Sequence, residues 1–306
     1  KIDSEEILFA CTGTIGEIFP TEKIKKFIPD LVQKIKYTQN KYIWMKASMG
    51  ILTTDLKPKL AMEECYIGNK MVKIYGIAKG SGMIFPNMAT TLGFIFTDAT
   101  ISSSILKQLL KQNIQKTFNA ISCDGDTSTN DMVSIFATGE VANSNLKSIK
   151  DKKLAGFNSA LFNVLLNLAK RVAADGEGAS KFVTIKVTQG VSDNECLRVA
   201  YAIAESPLVK TALFASDPNW GRILAAVGRA GVKDLDLNAV TIDIGDVRIV
   251  SAGSVDSNYT EAKGQAIMDL DEIEITVSLQ RGNCSESVWT SDLSLEYVSI
   301  NADYRT

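Results

Sequence analysis

The 306-residue chain has no histidine. That absence removes the Ser-His-Asp and Cys-His nucleophile systems, histidine-ligated zinc and the commonest general base near neutral pH. A catalyst made from this chain takes its base from elsewhere. There is no CxxC pair among the five cysteines, Cys11, Cys65, Cys123, Cys196 and Cys284, which are odd in number and widely scattered. They read as reduced thiols packed as small hydrophobes in a reducing compartment. No apolar run approaches the roughly 18 residues of a membrane span, and the opening Lys-Ile-Asp-Ser-Glu-Glu is not a secretory signal. A cytoplasmic, soluble protein is therefore expected. An excess of basic charge is also missing: 33 Lys and Arg against 35 Asp and Glu give a net charge of −2, which speaks against nucleic acid or an anionic membrane as partner. With 45% apolar side chains, disorder is excluded as the main state, and the length favours two domains.

Residues 6 to 11 (Glu-Ile-Leu-Phe-Ala-Cys) read as a short buried strand running into the turn Thr12-Gly13-Thr14-Ile15-Gly16. From Thr21, Ile24, Phe27, Ile28, Leu31, Val32 and Ile35 share one helical face, with Pro29 expected to kink or restart the helix. Strands are expected at Met71–Ala78 and Thr91–Thr97, with a glycine- and proline-punctuated link, 79–90, between them. Amphipathic helices follow at Ile101–Phe118 and Ser159–Ala174, then an alternating strand at Lys181–Gln189. Next come a helix at Asp193–Glu205, a strand at Lys210–Ser216 and a helix at Gly221–Ala230. Strands at Val240–Ile244 and Val247–Ser251 flank a Gly245-Asp246 turn, and Ile273–Leu279 is the last expected strand. Helices and strands alternate irregularly, an α/β (α+β) chain divided near residue 190 into 1–190 and 191–306.

Three glycine-containing stretches, Gly80-Ser81-Gly82, Asp124–Thr127 and Asp175–Lys181, invite a phosphate-loop reading, but none has the GxxxxGK[ST] or GxGxxG order. Asp124, Asp126, Asn130 and Asp131 resemble the start of a calcium loop without its terminal glutamate, so a polar, helix-capping turn is expected there. Without histidine, one remaining route to a hydroxyl nucleophile is an N-terminal residue whose own α-amine acts as base. Such an amine has a pKa near about 7.7–8.0, and covalent geometry holds it beside the hydroxyl. An internal threonine gains that amine only by cleavage of the bond before it. Ala89-Thr90, a small residue before a threonine at the mouth of a strand, has the required form, although on composition alone the reading that prevails is a threonine entering a strand.

Lys79-Gly80-Ser81-Gly82-Met83-Ile84 followed by Pro86-Asn87-Met88-Ala89-Thr90 resembles the signature of the glutamate N-acetyltransferase (ornithine acetyltransferase) family of arginine biosynthesis. So do Thr12–Glu17, Thr53-Thr54-Asp55, Asp124–Asp131, Gly176–Phe182, Ser206–Ala212, Ser216–Arg222 and Asn301–Thr306, in family order from end to end. The resemblance implies a self-processing, N-terminal-nucleophile-like α/β/β/α layered domain over 1–190, with a smaller α/β domain over 191–306 whose tail returns to the site. It implies cleavage between Ala89 and Thr90, with both resulting chains retained, and Thr90 as nucleophile. The Thr12 hydroxyl and the Gly13 amide would form the oxyanion hole. Substrate contacts would fall to Thr53, Lys79, Thr90, Glu177, Asn301 and Thr306.

The activity so implied is acetyl transfer from N2-acetylornithine to glutamate through an acetyl-Thr90 ester, with ping-pong kinetics. No cofactor or metal is implied; acetyl-CoA serves as an additional acetyl donor in some members. An α2β2 assembly is expected. Two features depart from the family pattern. Thr91 stands where methionine is usual, and only eleven residues precede Thr12 where relatives carry a sizeable segment. The chain is therefore expected to be part of a longer product, with sheet edges and apolar faces left bare. The rival readings are a related N-terminal-nucleophile amidohydrolase or aminopeptidase with water as acceptor, and an inactive remnant.

Overall fold

The computed structural model describes residues 3, 5, 7–34, 41–85 and 91–303. It mixes helices and sheets, the α+β class expected. The first described helices are short: α1 (Thr21–Lys25), α2 (Ile28–Lys34) and α3 (Lys41–Gly50). A sheet follows, built from β1 (Lys59–Ile67), β2 (Lys70–Lys79), β3 (Leu92–Ala99) and β4 (Met132–Val141), in that spatial order. Its first two junctions are antiparallel. The last is parallel, with Leu92 beside Met132, and helix α4 (Ser103–Ile114) lies within the crossover.

Helix α5 (Ala155–Ala174) covers one face of this sheet. Its buried Phe157, Leu161, Val164, Leu165, Leu168 and Val172 recur at helical spacing, which turns one apolar stripe toward the strands. The approach is close. A Cβ on Gly76 of β2 would lie 2.7 Å from Leu168 Cδ1 and 2.8 Å from Val164 Cγ1, so only glycine lets the helix sit at this distance. On the opposite face Trp44 of α3 stacks on Tyr75, with ring centroids 5.5 Å apart, and Phe96 stacks on Phe136 at 5.2 Å.

The rest of the chain contributes β5 (Phe182–Gly190), α6 (Asp193–Ala204), α7 (Pro207–Phe214), α8 (Trp220–Arg229), β6 (Thr241–Ile244), β7 (Val247–Ser251), β8 (Ser254–Val255), α9 (Glu261–Met268), β9 (Glu272–Ser278), β10 (Cys284–Ser291) and α10 (Leu295–Asp303). The second sheet runs β10-β5-β9-β6-β7-β8. Its core joins Val183, Ile185 and Val187 to Val199, Ile203, Ile242, Ile275 and Val288. The first core joins Ile74 and Ile95 to Leu161, Leu165 and Leu168. Ser122 N donating to Trp289 O (2.9 Å) ties the first part of the chain to β10 of the second sheet, and Cys123 N donates to Ile84 O (2.7 Å) within the first core.

Three expected elements differ. Residues 7–14 form no strand, and Ile7, Leu8 and Phe9 are exposed; among the described residues no strand pairs with this stretch, so its backbone has no ladder to join. The apolar face expected from Thr21 does divide, but at residues 26–27 between α1 and α2 with Pro29 in the first turn of α2, and Phe27, Leu31 and Val32 are exposed too. Lys210–Ser216, expected as a strand, lies mostly within helix α7. Ser206 Oγ accepts from Val209 N and Pro207 occupies the first turn, a cap and a pre-set φ that start a helix whatever the β propensity downstream.

Candidate active site

The end of β2 delivers Lys79 into the turn Gly80-Ser81-Gly82-Met83. This turn is held from below by Asp124, whose carboxylate accepts from Met83 N and Ile84 N, both at 2.8 Å. Burial pushes the Asp124 carboxyl up, against the lowering effect of the backbone donors from Asp126, Ile84 and Met83. The helix-capping role expected for the Asp124–Asp131 stretch is thus replaced by a different one: Asp124 fixes the site turn. Among the described residues no cluster of Asp, Glu or Cys could hold a metal ion.

Helix α5 ends at Asp175, and the next turn presents Glu177, whose amide donates to Ser81 O (3.0 Å). The Glu177 carboxylate is engaged on both oxygens. Oε1 accepts from Thr54 Oγ1 (2.7 Å) and Oε2 from Asn301 Nδ2 (2.9 Å). Thr54 Oγ1 also shares a hydrogen bond with Ser81 Oγ at 2.6 Å. Asn301 reaches Glu177 because α10 docks on Gly178: Ser294 Oγ donates to Gly178 O (2.6 Å), and a Cβ on Gly178 would collide with Tyr297 N. Its φ of +66° is a second reason for glycine there.

These segments enclose one cavity of about 220 Å³, lined on its several sides by Thr12, Gly13, Thr53, Lys79, Glu177 and Asn301. All six of the described residues carried over from the family resemblance therefore meet in one place, from positions as distant as 12 and 301. Leu92, two residues after Thr90, also lines it. Ala89, Thr90 and Thr306 lie outside the described residues. Burial lowers the pKa of Lys79, opposed by the negative charges of Asp55, Asp131 and Glu177. The cavity thus pairs a cationic side chain with carboxylates, a lining suited to a zwitterionic amino acid.

Comparison with known proteins agrees. The ArgJ family model matches residues 1–306. The chain belongs to the ArgJ family. The arginine biosynthesis bifunctional protein ArgJ of Pseudomonas fluorescens (strain Pf0-1) is 48% identical over 305 residues, 100% of this chain and 74% of that protein. The proteins of the same name from Methylococcus capsulatus and Neisseria meningitidis are each 46% identical, over 99% and 98% of this chain and 73% and 72% of their own. A solved structure, the arginine biosynthesis bifunctional protein argJ of Bacillus halodurans, is 38% identical with a TM-score of 0.64, and covers 68% of this chain and 96% of its own.

In this ArgJ family chain the cavity also takes in residues that the sequence reading left without a role. Thr54, Ser81 and Gly82 sit inside motifs already quoted, one position from Thr53 or within three of Lys79. Ser128, Thr129, Asn130 and Asp131 line the same cavity. Parallel pairing of β3 with β4, with Met132 N donating to Thr91 O (2.9 Å), is what brings Asp131 there. No pattern in the sequence announces a parallel neighbour across more than thirty residues.

Proposed function

We propose that the cavity transfers an acetyl group from N2-acetylornithine to glutamate, as a step of arginine biosynthesis, after the Ala89–Thr90 bond has been cleaved. The observation that carries the reading is the convergence of Thr12, Gly13, Thr53, Lys79, Glu177 and Asn301 on one cavity. The relatives' name, arginine biosynthesis bifunctional protein, supports it.

Thr90 Oγ attacks the acetyl carbonyl, and its proton passes to the Thr90 α-amine. The Thr12 hydroxyl and the Gly13 amide meet the developing oxyanion. The carbon–nitrogen bond breaks, the proton moves to the departing nitrogen, and ornithine leaves an acetyl-threonine ester. The glutamate amine then attacks this ester, Thr90 Oγ recovers a proton, and N-acetylglutamate departs. Lys79 meets the substrate α-carboxylate and Glu177 the ornithine ammonium, while Thr53, Asn301 and Thr306 complete the contacts. No cofactor takes part. The reading places the enzyme in the cytoplasm as an α2β2 assembly of its two fragments. Among the described residues no helix is long and apolar enough to cross a membrane.

Denaturing mass analysis tests the reading. It should find two fragments split before Thr90, and Thr90→Ala should give one intact chain. Acetyl-labelled N2-acetylornithine should pass its label to Thr90 and then to glutamate. Label appearing only as free acetate would instead make the protein an amidohydrolase, and an unprocessed yet fully active chain would remove the α-amine as base. Labelled acetyl-CoA in the same assay decides whether it too is a donor, and native mass analysis reads the assembly.

A further inference from the structure

Directly behind the cavity wall lies a buried charge cluster that the proposed chemistry does not use. Lys59 of β1 is 1% exposed, and its Nζ lies 2.6 Å from Asp55 Oδ1 and 2.6 Å from Asp175 Oδ2. Neither carboxylate spends itself on Lys59 alone. Asp55 Oδ1 also accepts from Gly80 N (2.7 Å), and Asp55 Oδ2 from Thr53 N (3.2 Å). Asp175 Oδ2 accepts from Leu56 N (3.1 Å) and Lys57 N (3.2 Å). Lys59 completes its own set with Lys57 O at 3.3 Å.

Burying three charges is costly, and well-packed apolar side chains of similar volume hold a core as firmly or better. Stability alone is therefore a poor account of this cluster. What it connects is specific. Asp55 holds the backbone of Thr53 on one side and of Gly80, adjacent to Lys79, on the other. Asp175 stands two residues before Glu177. One ammonium ties together the three segments that carry three of the cavity's walls. Asp55 also favours the ammonium form of Lys79 against burial, while the neighbouring Lys59 charge opposes it.

We infer that Asp55, Lys59 and Asp175 are positioning residues of the proposed active site, a buried clamp that sets Thr53, Lys79 and Glu177 at fixed separations for the substrate. The inference rests on the reading that Lys79 meets a substrate carboxylate, and the test separates the two. KM and kcat for glutamate and N2-acetylornithine are measured in Asp55→Asn, in Lys79→Ala and in the double variant, with the melting temperature followed in each. Asp55→Asn should raise KM on the order of tenfold, the loss expected for one hydrogen bond to a charged group, with kcat changed by less than about twofold. In the Lys79→Ala background the same substitution should cost less than it does alone, because the part of its effect that runs through Lys79 is already gone and only the part through Thr53 and Glu177 remains. A KM that does not change in Asp55→Asn, or effects that multiply in the double variant, overturn the clamp. A KM that does not change in Lys79→Ala overturns the substrate reading instead. Hydrogen exchange then decides the clamp without substrate: in Asp55→Asn the amides of Thr53, Gly80 and Glu177 should exchange faster together while β9 keeps its wild-type rate, and wild-type rates at all three overturn it. If Asp55→Asn does not fold, Asp175→Asn, which frees the Glu177 end of the cluster, is read in the same assays.

Discussion

A methyl group on Gly82 would lie 2.5 Å from Glu177 Oε1 and 2.6 Å from its Cδ. The glycine is the floor on which the carboxylate rests, and Thr54 and Asn301 hold the carboxylate from either side. Gly82→Ala should therefore push Glu177 out of both hydrogen bonds. Steady-state kinetics should show KM for N2-acetylornithine rising on the order of tenfold or more, the loss of a charged hydrogen bond, while the melting temperature stays within a few degrees of wild type. An unchanged KM would mean that Glu177 does not hold the substrate.

Thr54→Val removes the hydroxyl shared between Ser81 and Glu177 and keeps the side-chain shape. About 1.5–3 kcal/mol attaches to a hydrogen bond with a charged partner. We expect KM to rise on the order of tenfold or more, with the two-fragment pattern on a denaturing gel intact, since Thr54 holds the wall of the cavity. Restoration by Thr54→Ser would tie the effect to the hydroxyl.

Loss of a single oxyanion donor costs about 2.7–4 kcal/mol of barrier. Thr12→Ala should accordingly lower kcat by about 10²–10³-fold and leave KM near its wild-type value, with self-cleavage retained. Stopped-flow detection of the first acetyl-enzyme burst reads the step directly; a burst as fast as in wild type would remove Thr12 from the oxyanion hole.

Acid should loosen the Asp55 cluster late, below the pH at which an ordinary carboxylate is protonated. Burial pushes the Asp55 carboxyl up, but Lys59 and the Gly80 and Thr53 amides outweigh it and hold the pKa below the ordinary value. A carboxyl so depressed contributes stability that is fully present above its unfolded pKa and is lost as pH falls through the folded one. Urea midpoints measured from about pH 7 down to about pH 3 should therefore fall, mostly below about pH 4. Asp55→Asn, with nothing to protonate there, should start lower and decline less steeply. Parallel curves would assign the acid sensitivity to other carboxylates.

Local patterning carried most of the second half of the chain into view. β5, β6, β7 and β9 alternate or run apolar between turn residues, and α5 and α6 keep an apolar stripe. What escaped was governed by contacts distant in sequence. β10 reads Cys-Ser-Glu-Ser-Val-Trp-Thr-Ser, a polar string that is a strand because β5 lies beside it. β4 is half-buried along most of its length and shows no alternation. In α7 a cap and a proline at the start overrode the β-branched residues. The candidate site was legible as motifs, since the motifs named Lys79, Glu177 and Asn301. It was not legible as a wall, because Thr54, Gly82 and Asp131 owe their places to a hydroxyl bridge, a close approach and a parallel strand.

Thr12 and Gly13 ride on a stretch, 7–33, in which Ile7, Leu8, Phe9, Ile18, Phe27 and Leu31 all face solvent and α1 buries no side chain. Segments with so few buried apolar contacts open at far lower free energy than a packed core. The two residues proposed to meet the oxyanion are thus fastened, among the described residues, to a stretch with few buried apolar contacts, and Glu177 to the end of a well-buried helix. On warming, turnover should fade while circular dichroism still reports a native helix and sheet content.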